Sequence, residues 1–360
     1  MSSLIDAASL HNAGLYGETS VYELDTPRCS NRFFIVSGPG SRRLLASPEV
    51  VGFPCYTSLL EETIAALRHL FPTGPGEDID ILTILRGGLN YPIEEACSAL
   101  GIPVSEIHFV SCERIIENHV IKGLDIKYEK IAPRPGRTLA IGDILATGDT
   151  LRLVIRHFAE EFHKGGGSIR RIIFFTIGGT KAFSLMEELS EEFRALFPGF
   201  EGFDCFFYEG AFTVYTDKGA SGINVPDIDF GWKGGIVSPD FRRFIVNEPD
   251  ALMEKCIIYD GGARRYEIPL HFEEVMEYWE GILERADVID AEAMLHEKLG
   301  YDGKPSFEQW KEILHYNELT DDGLEQLWRD ELSLKAPDLK ALAIRRIEKL
   351  NQIKKHYVKD

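Results

Sequence analysis

Between residues 79 and 208 short apolar runs alternate with amphipathic stretches, and that alternation narrows the possible folds more than any other feature of the chain. Ile79–Leu85 is a short, mostly apolar run of the kind that forms a strand buried on both faces. Runs at 106–111, 138–141, 170–177 and 203–208 read the same way, with 126–130 returning as a hairpin arm. Between them, Ile93, Ala96, Cys97 and Leu100 keep helical spacing, with Pro92 tolerated in the first turn. Leu151, Val154, Ile155, Phe158 and Phe162 form a second stripe, and 181–196 a third helix. The pattern predicts an α/β protein: an open, mainly parallel sheet flanked by helices.

The flanks differ from this core. The first 55 residues are punctuated by Pro, Gly and Ser, including the turn Ser37-Gly38-Pro39-Gly40, and are expected to be irregular. A helix is expected from Ser58, with Glu61 as capping-box partner and Leu60, Ile64, Leu67 and Phe71 as its stripe. Residues 211–268 are rich in Gly, aromatics and turns, whereas 270–356 read as amphipathic helices, for example 272–286 and 339–355. The last helix carries Arg345, Arg346, Lys349, Lys354 and Lys355, expected as a solvated face. This divides the chain into an N-terminal arm and helix (1–76), an α/β core (77–210), a turn-rich region (211–268) and a C-terminal helical domain (269–360).

Composition limits the functions available to such a chain. With 58 acidic and 39 Lys/Arg side chains the net charge is −19, which disfavours broad binding to nucleic acid or to anionic membranes. No apolar run approaches the roughly 20 residues that span a bilayer, and the N-terminus lacks the pattern of a signal peptide. Six scattered cysteines (29, 55, 97, 112, 205 and 256) form no Cys-x-x-Cys pair and are expected as thiols of a cytoplasmic protein. The histidines show no metal-binding spacing, and no Ser/His/Asp arrangement stands out.

The chemistry concentrates in Thr138-Leu-Ala-Ile-Gly-Asp-Ile-Leu-Ala-Thr-Gly-Asp-Thr-Leu151. An apolar strand delivers Asp143, then the small polar turn Ala146-Thr147-Gly148-Asp149-Thr150 opens into a helix. Converging backbone N–H groups and the positive end of the helix dipole make such a turn a phosphate site. Gly148 lets the backbone approach, Thr147 and Thr150 supply hydroxyls, and Asp143 can accept from the hydroxyls of a sugar.

This segment resembles the phosphoribosyl pyrophosphate (PRPP) signature of type I phosphoribosyltransferases, its wording nearest to the uracil-type enzymes. Ile84-Leu85-Arg86-Gly87-Gly88-Leu89 resembles the pyrophosphate loop of the same enzymes, and the turn-rich stretch 112–125 their mobile hairpin. The resemblance covers about 79–208 and implies transfer of phosphoribose from PRPP to a nitrogenous, base-like acceptor, giving a ribonucleotide and pyrophosphate. It implies that Asp143 holds ribose hydroxyls, that Ala146–Thr150 hold the 5′-phosphate, and that Arg86, Gly87 and Gly88 hold pyrophosphate. Mg²⁺ enters bound to PRPP, needing no dedicated protein cluster. Arg114 and Lys122 either close over pyrophosphate or are exposed hairpin charges. Gly178 and Gly179 either border the acceptor or form a plain strand–helix turn. Asp240 falls in the acceptor-side region (211–268), where 224–242 loosely resembles the family's base-binding stretch. A homo-oligomer is compatible with all of this.

Two departures weigh on the expectation. Gly142 stands where the uracil-type enzymes carry an acid, leaving one carboxylate for the ribose. Asp149 lies inside the phosphate turn, where two unit charges ~4 Å apart repel by ~4 kcal/mol at an effective dielectric near 20. It must therefore point away or meet a cation. These departures keep a second possibility open, a catalytically silent protein that senses PRPP or a nucleotide.

Overall fold

The computed structural model describes residues 4–26, 29–74, 76, 78–117, 120–215, 219–223, 229–255 and 261–357. Cys256, residues 224–228 of the acceptor-side stretch, and Asn118 and His119 of the turn-rich stretch 112–125 lie outside the described residues.

Among the described residues ten strands form one sheet: β1 (Ser9–Tyr16), β2 (Thr19–Asp25), β3 (Arg32–Ser37), β4 (Ile79–Leu85), β5 (Val104–Glu117), β6 (Val120–Lys130), β7 (Arg137–Gly142), β8 (Ile169–Gly179), β9 (Gly202–Tyr215) and β10 (Asp229–Val237). The helices in chain order are α1 (Pro39–Ala46), α2 (Phe53–Thr57), α3 (Leu60–Leu70), α4 (Ile93–Leu100), α5 (Asp149–Lys164), α6 (Lys181–Leu196), α7 (Pro239–Asn247) and α8 (Pro249–Leu252). They continue with α9 (Gly261–Tyr266), α10 (Ile268–Arg285), α11 (Ala291–Leu299), α12 (Phe307–Ile313), α13 (Leu324–Ser333) and α14 (Leu339–Tyr357).

The sheet runs β1-β2-β3-β9-β8-β7-β4-β5-β6, with β10 paired to β9. The central ladders β3–β9, β9–β8, β8–β7, β7–β4 and β4–β5 are parallel. Antiparallel ladders β1–β2, β2–β3, β5–β6 and β9–β10 extend it. The chain is thus α/β, as its alternation predicts. The connection from β4 to β5 steps one way across the sheet, and those from β7 to β8 and from β8 to β9 step the other. Right-handed crossovers therefore place α4 on one face and α5 and α6 on the other. Packing agrees: α4 lies against α3, and α5 against α6. The apolar stripe of α5 (Leu151, Val154, Ile155, Phe158, Phe162) is fully buried, as its spacing demands.

The first 55 residues are not irregular, which corrects the sequence expectation. They hold β1 to β3, α1 and the start of α2. In β1 and β2 the apolar signal is diluted because these antiparallel strands keep one face toward solvent. Nor does the Ser58–Glu61 capping box form. Ser58 Oγ instead donates to Pro54 O at 2.7 Å, closing α2, and α3 starts at Leu60 without a side-chain cap. The hairpin arm is longer than its apolar part, since β6 begins at Val120.

The C-terminal helices pack on this sheet. Leu10 N–H, on the edge strand β1, donates to His315 O at 2.9 Å. Arg242 of α7 is buried against Glu331 of α13 at 3.0 Å, and Tyr301 and Trp310 donate to the same carboxylate. One apolar interior runs from the sheet through Trp279, Trp310 and Leu342. Among the described residues no helix is long and apolar enough to cross a membrane.

Candidate functional site at the carboxyl ends of β4 and β7

Strands β4 and β7 are neighbours, in register from Ile79↔Thr138 to Leu82↔Ile141. Their following helices leave to opposite faces, so a crevice opens between their carboxyl ends, where open α/β sheets bind ligands. Both glycine turns singled out from the sequence emerge there.

After β4, the Leu85–Arg86 peptide is cis and Gly87–Asn90 form a 3₁₀ turn. Leu89 N–H donates to Arg86 O, and Asn90 Nδ2 to Gly87 O, both at 3.1 Å. Arg86 projects outward, about half exposed, and donates to Glu267 Oε2 at 3.0 Å. After β7, Asp143 N–H donates to Phe175 O at 3.1 Å and Asp143 Oδ1 accepts from Ile144 N–H at 2.9 Å. The two turns meet: a Cβ built on Gly87 would overlap Asp143 Oδ1, and one on Gly88 would lie 3.3 Å from Gly142 O. Desolvation in the crevice pushes the Asp143 carboxyl up to about 7, opposed by the Ile144 N–H and by the charge of Arg114.

Gly142 has its own explanation. A Cβ there would overlap the Cβ and the ring of Tyr91, whose hydroxyl accepts from Ile177 N–H at 3.2 Å. The buried tyrosine fills the space beside the strand that a side chain at 142 would need.

The second turn is tied down at its start. Leu145 N–H donates to Thr176 Oγ1 at 3.1 Å, and Gly179 N–H to Leu145 O at 2.6 Å. Gly148 then takes φ 79°, in the left-handed region open to glycine, and α5 begins. Among the described residues no acceptor engages the N–H groups of Ala146, Thr147, Gly148, Asp149 or Thr150. Asp149 Oδ1 accepts from Arg152 Nη1 at 3.1 Å, so the turn's negative charge meets a cation.

The other candidate residues fall into three groups. Arg114 and Lys122 are exposed on the β5–β6 hairpin and make no ion pair among the described residues, although Arg114 bears on Asp143 through its charge. Gly178 and Gly179 do not form a turn. They complete β8, because pairing continues to Ala211 and Phe212 of β9 and, just before the 146–150 turn, to Leu145. Asp240 accepts from Tyr22 O–H at 2.9 Å and from Arg243 at 3.2 Å. It lines a charged cavity of about 950 Å³ with Arg42, Arg43 and Arg345. That cavity shares no residue with the pocket of about 180 Å³ lined by Gly88, Tyr91, Gly142 and Arg265.

Sequence reasoning missed Tyr91, Arg265, Glu267 and Glu209. Glu209, buried where β9 passes β3, accepts from Ser37 Oγ at 2.5 Å and Gly38 N–H at 2.9 Å, and burial pushes it up to about 7. Only Gly142 pointed toward Tyr91. Arg265 and Glu267 come from the far side of the chain, and nothing local to them marks the contact. Among the described residues no group of three or more His, Cys, Asp and Glu side chains could hold a metal ion.

No family model and no curated protein matches the chain. Solved structures do. The AQ2163 protein from Aquifex aeolicus is similar over 46% of this chain and 80% of its own, at 16% identity and TM-score 0.34. A hypoxanthine phosphoribosyltransferase from Staphylococcus aureus is similar over 36% and 67%, at 16% identity and TM-score 0.28. An adenine phosphoribosyltransferase is similar over 43% of this chain and 84% of its own, at 18% identity and TM-score 0.25.

Proposed function

We propose that the protein binds PRPP in the crevice between β4 and β7 and transfers its phosphoribosyl group to a small nitrogenous acceptor, releasing pyrophosphate. One observation carries the reading: the two glycine turns leave adjacent parallel strands at the switch in crossover direction, with Asp143 set against Gly87. The N–H groups at 146–150 would take the 5′-phosphate, since they point from a helix start and lack acceptors among the described residues. Asp143 would accept from ribose hydroxyls, and Arg86 with the Gly87-Gly88 backbone would hold pyrophosphate. The protein's contribution is positioning and stabilisation of charge on the leaving group and on an oxocarbenium-like ribose.

Magnesium fits such a site as a companion of the substrate, because Asp143 is a lone carboxylate and Mg²⁺ prefers phosphate oxygens and water. Bound there it would neutralise charge on pyrophosphate.

A second reading, a PRPP or nucleotide sensor, is favoured by Tyr91. Its ring takes the space an acid at 142 would need, leaving a single carboxylate at the ribose. The two readings part on turnover. Calorimetry with PRPP and Mg²⁺ is expected to show binding that Thr147→Ala weakens, and pyrophosphate release is expected with at least one of a panel of purine, pyrimidine and other nitrogenous acceptors. Binding without release across the panel selects the sensor. An enzyme also needs Arg114 and Lys122 more in the transition state than in the ground state, so neutralising both should lower turnover more than affinity. Absence of PRPP binding overturns the transferase and the PRPP sensor, and absence of nucleotide binding as well overturns the sensor reading altogether.

A further inference from the structure

Arg86, the cation at the mouth of the crevice, is occupied by the chain's own carboxylate, Glu267 Oε2, at 3.0 Å. The segment bearing that carboxylate is held firmly. Arg264, fully buried in α9, donates to the carbonyls of Leu44 at 3.0 Å, Ser47 at 2.6 Å and Val50 at 2.8 Å. Gly52 N–H donates back to Arg264 O at 2.8 Å, and His271 Nε2 lies 2.8 Å from Pro48 O. The next residue, Arg265, donates to Leu89 O in the pyrophosphate turn and packs 4.1 Å from the centre of the Tyr56 ring. A fixed platform thus presents Glu267 to Arg86 from 181 residues away in the chain.

The pair itself is weak. Its side chains are 57% and 46% exposed, and exposed ion pairs contribute ~0.2–1 kcal/mol. A carboxylate on a guanidinium is also the nearest protein equivalent of a phosphate oxygen there.

We propose that Glu267 is a built-in competitor for the anion site at Arg86: it holds the guanidinium in the free protein and yields it to a phosphate oxygen of the incoming polyphosphate. This rests on the reading of the Gly87 turn as the pyrophosphate site and adds a regulatory contact to it. Arg265 keeps its bond to Leu89 O throughout and holds the turn still while Arg86 changes partner. After the exchange Glu267 faces a polyanion, so removing its charge favours the bound state twice, by freeing Arg86 and by relieving repulsion.

The test is calorimetry on the full chain with Mg²⁺-pyrophosphate and, separately, Mg²⁺-PRPP, using wild type, Glu267→Gln, Arg86→Ala and the double variant. Glu267→Gln is expected to tighten pyrophosphate about two- to fivefold, the equivalent of an exposed ion pair. In the Arg86→Ala background the same change is expected to keep only the smaller gain that comes from relieving repulsion. Equal or weaker pyrophosphate and PRPP binding by Glu267→Gln, with PRPP bound by the wild type, overturns the competitor and leaves the PRPP reading standing. Tighter pyrophosphate binding with no PRPP binding by any variant keeps the competitor and overturns the PRPP reading. No binding of either ligand by wild type or Glu267→Gln overturns both.

Discussion

Asp143 and Gly142 are neighbours with opposite demands. The carboxylate of Asp143 sits in the crevice, and desolvation lifts it to about 7 from the usual 3.8. A ligand that needs the charged form must therefore displace a proton at lower pH, so its affinity falls as pH drops through about 7. PRPP binding is expected to strengthen from pH 6 to pH 8 more in the wild type than in Asp143→Asn, a comparison that cancels titration of the phosphates themselves. Identical pH profiles would remove Asp143 from the site. At Gly142 the constraint is steric. Gly142→Ala drives a methyl into the Cβ and ring of Tyr91 and is expected to destabilise the fold by ~1–3 kcal/mol, read from urea unfolding. In a Tyr91→Gly background, which removes the Cβ as well as the ring, the same change is expected to lose most of its effect.

The elements of the core were legible because each is buried on a recognisable period. Ile79–Leu85 was readable to its last residue, since a strand covered on both faces is mostly apolar, and its buried Asp80 is paired with Arg137 at 2.8 Å. The stripe of α5 was equally plain. The N-terminal strands were not, because β1 places Ser, His, Asn and Gly on a partly solvated strand whose pairing is decided by β2 and the His315 segment. Both glycine turns were visible as motifs, and their sharing of one crevice follows from strand order, which no local pattern encodes. The same holds for α9. Arg264 and Arg265 read as two more basic residues, yet one staples the segment to the loop after α1 and the other reaches the turn after β4.

At the scale of the molecule, a buried charge knot joins the sheet region to the C-terminal helices. Arg242 and Glu331 are each 1% exposed, and Trp310 N–H and Tyr301 O–H complete the carboxylate's bonds. Removing one partner leaves the other buried and unpaired, so Glu331→Ala is expected to lower the unfolding free energy by ~3–5 kcal/mol, measured by denaturant titration. A loss below ~1 kcal/mol would mean that α13 contributes little to holding α7. The same whole-chain view supplies the most direct test of the proposed PRPP site. The amides of 146–150 lack acceptors among the described residues, so a phosphate bound there must slow their hydrogen exchange. Hydrogen–deuterium exchange across the full chain, with and without Mg²⁺-PRPP, is expected to show protection at 143–150 and at 86–90, in the two turns at the carboxyl ends of β7 and β4. Saturating PRPP that protects neither turn, or that protects instead the Arg42, Arg43 and Arg345 cavity, would contradict the account.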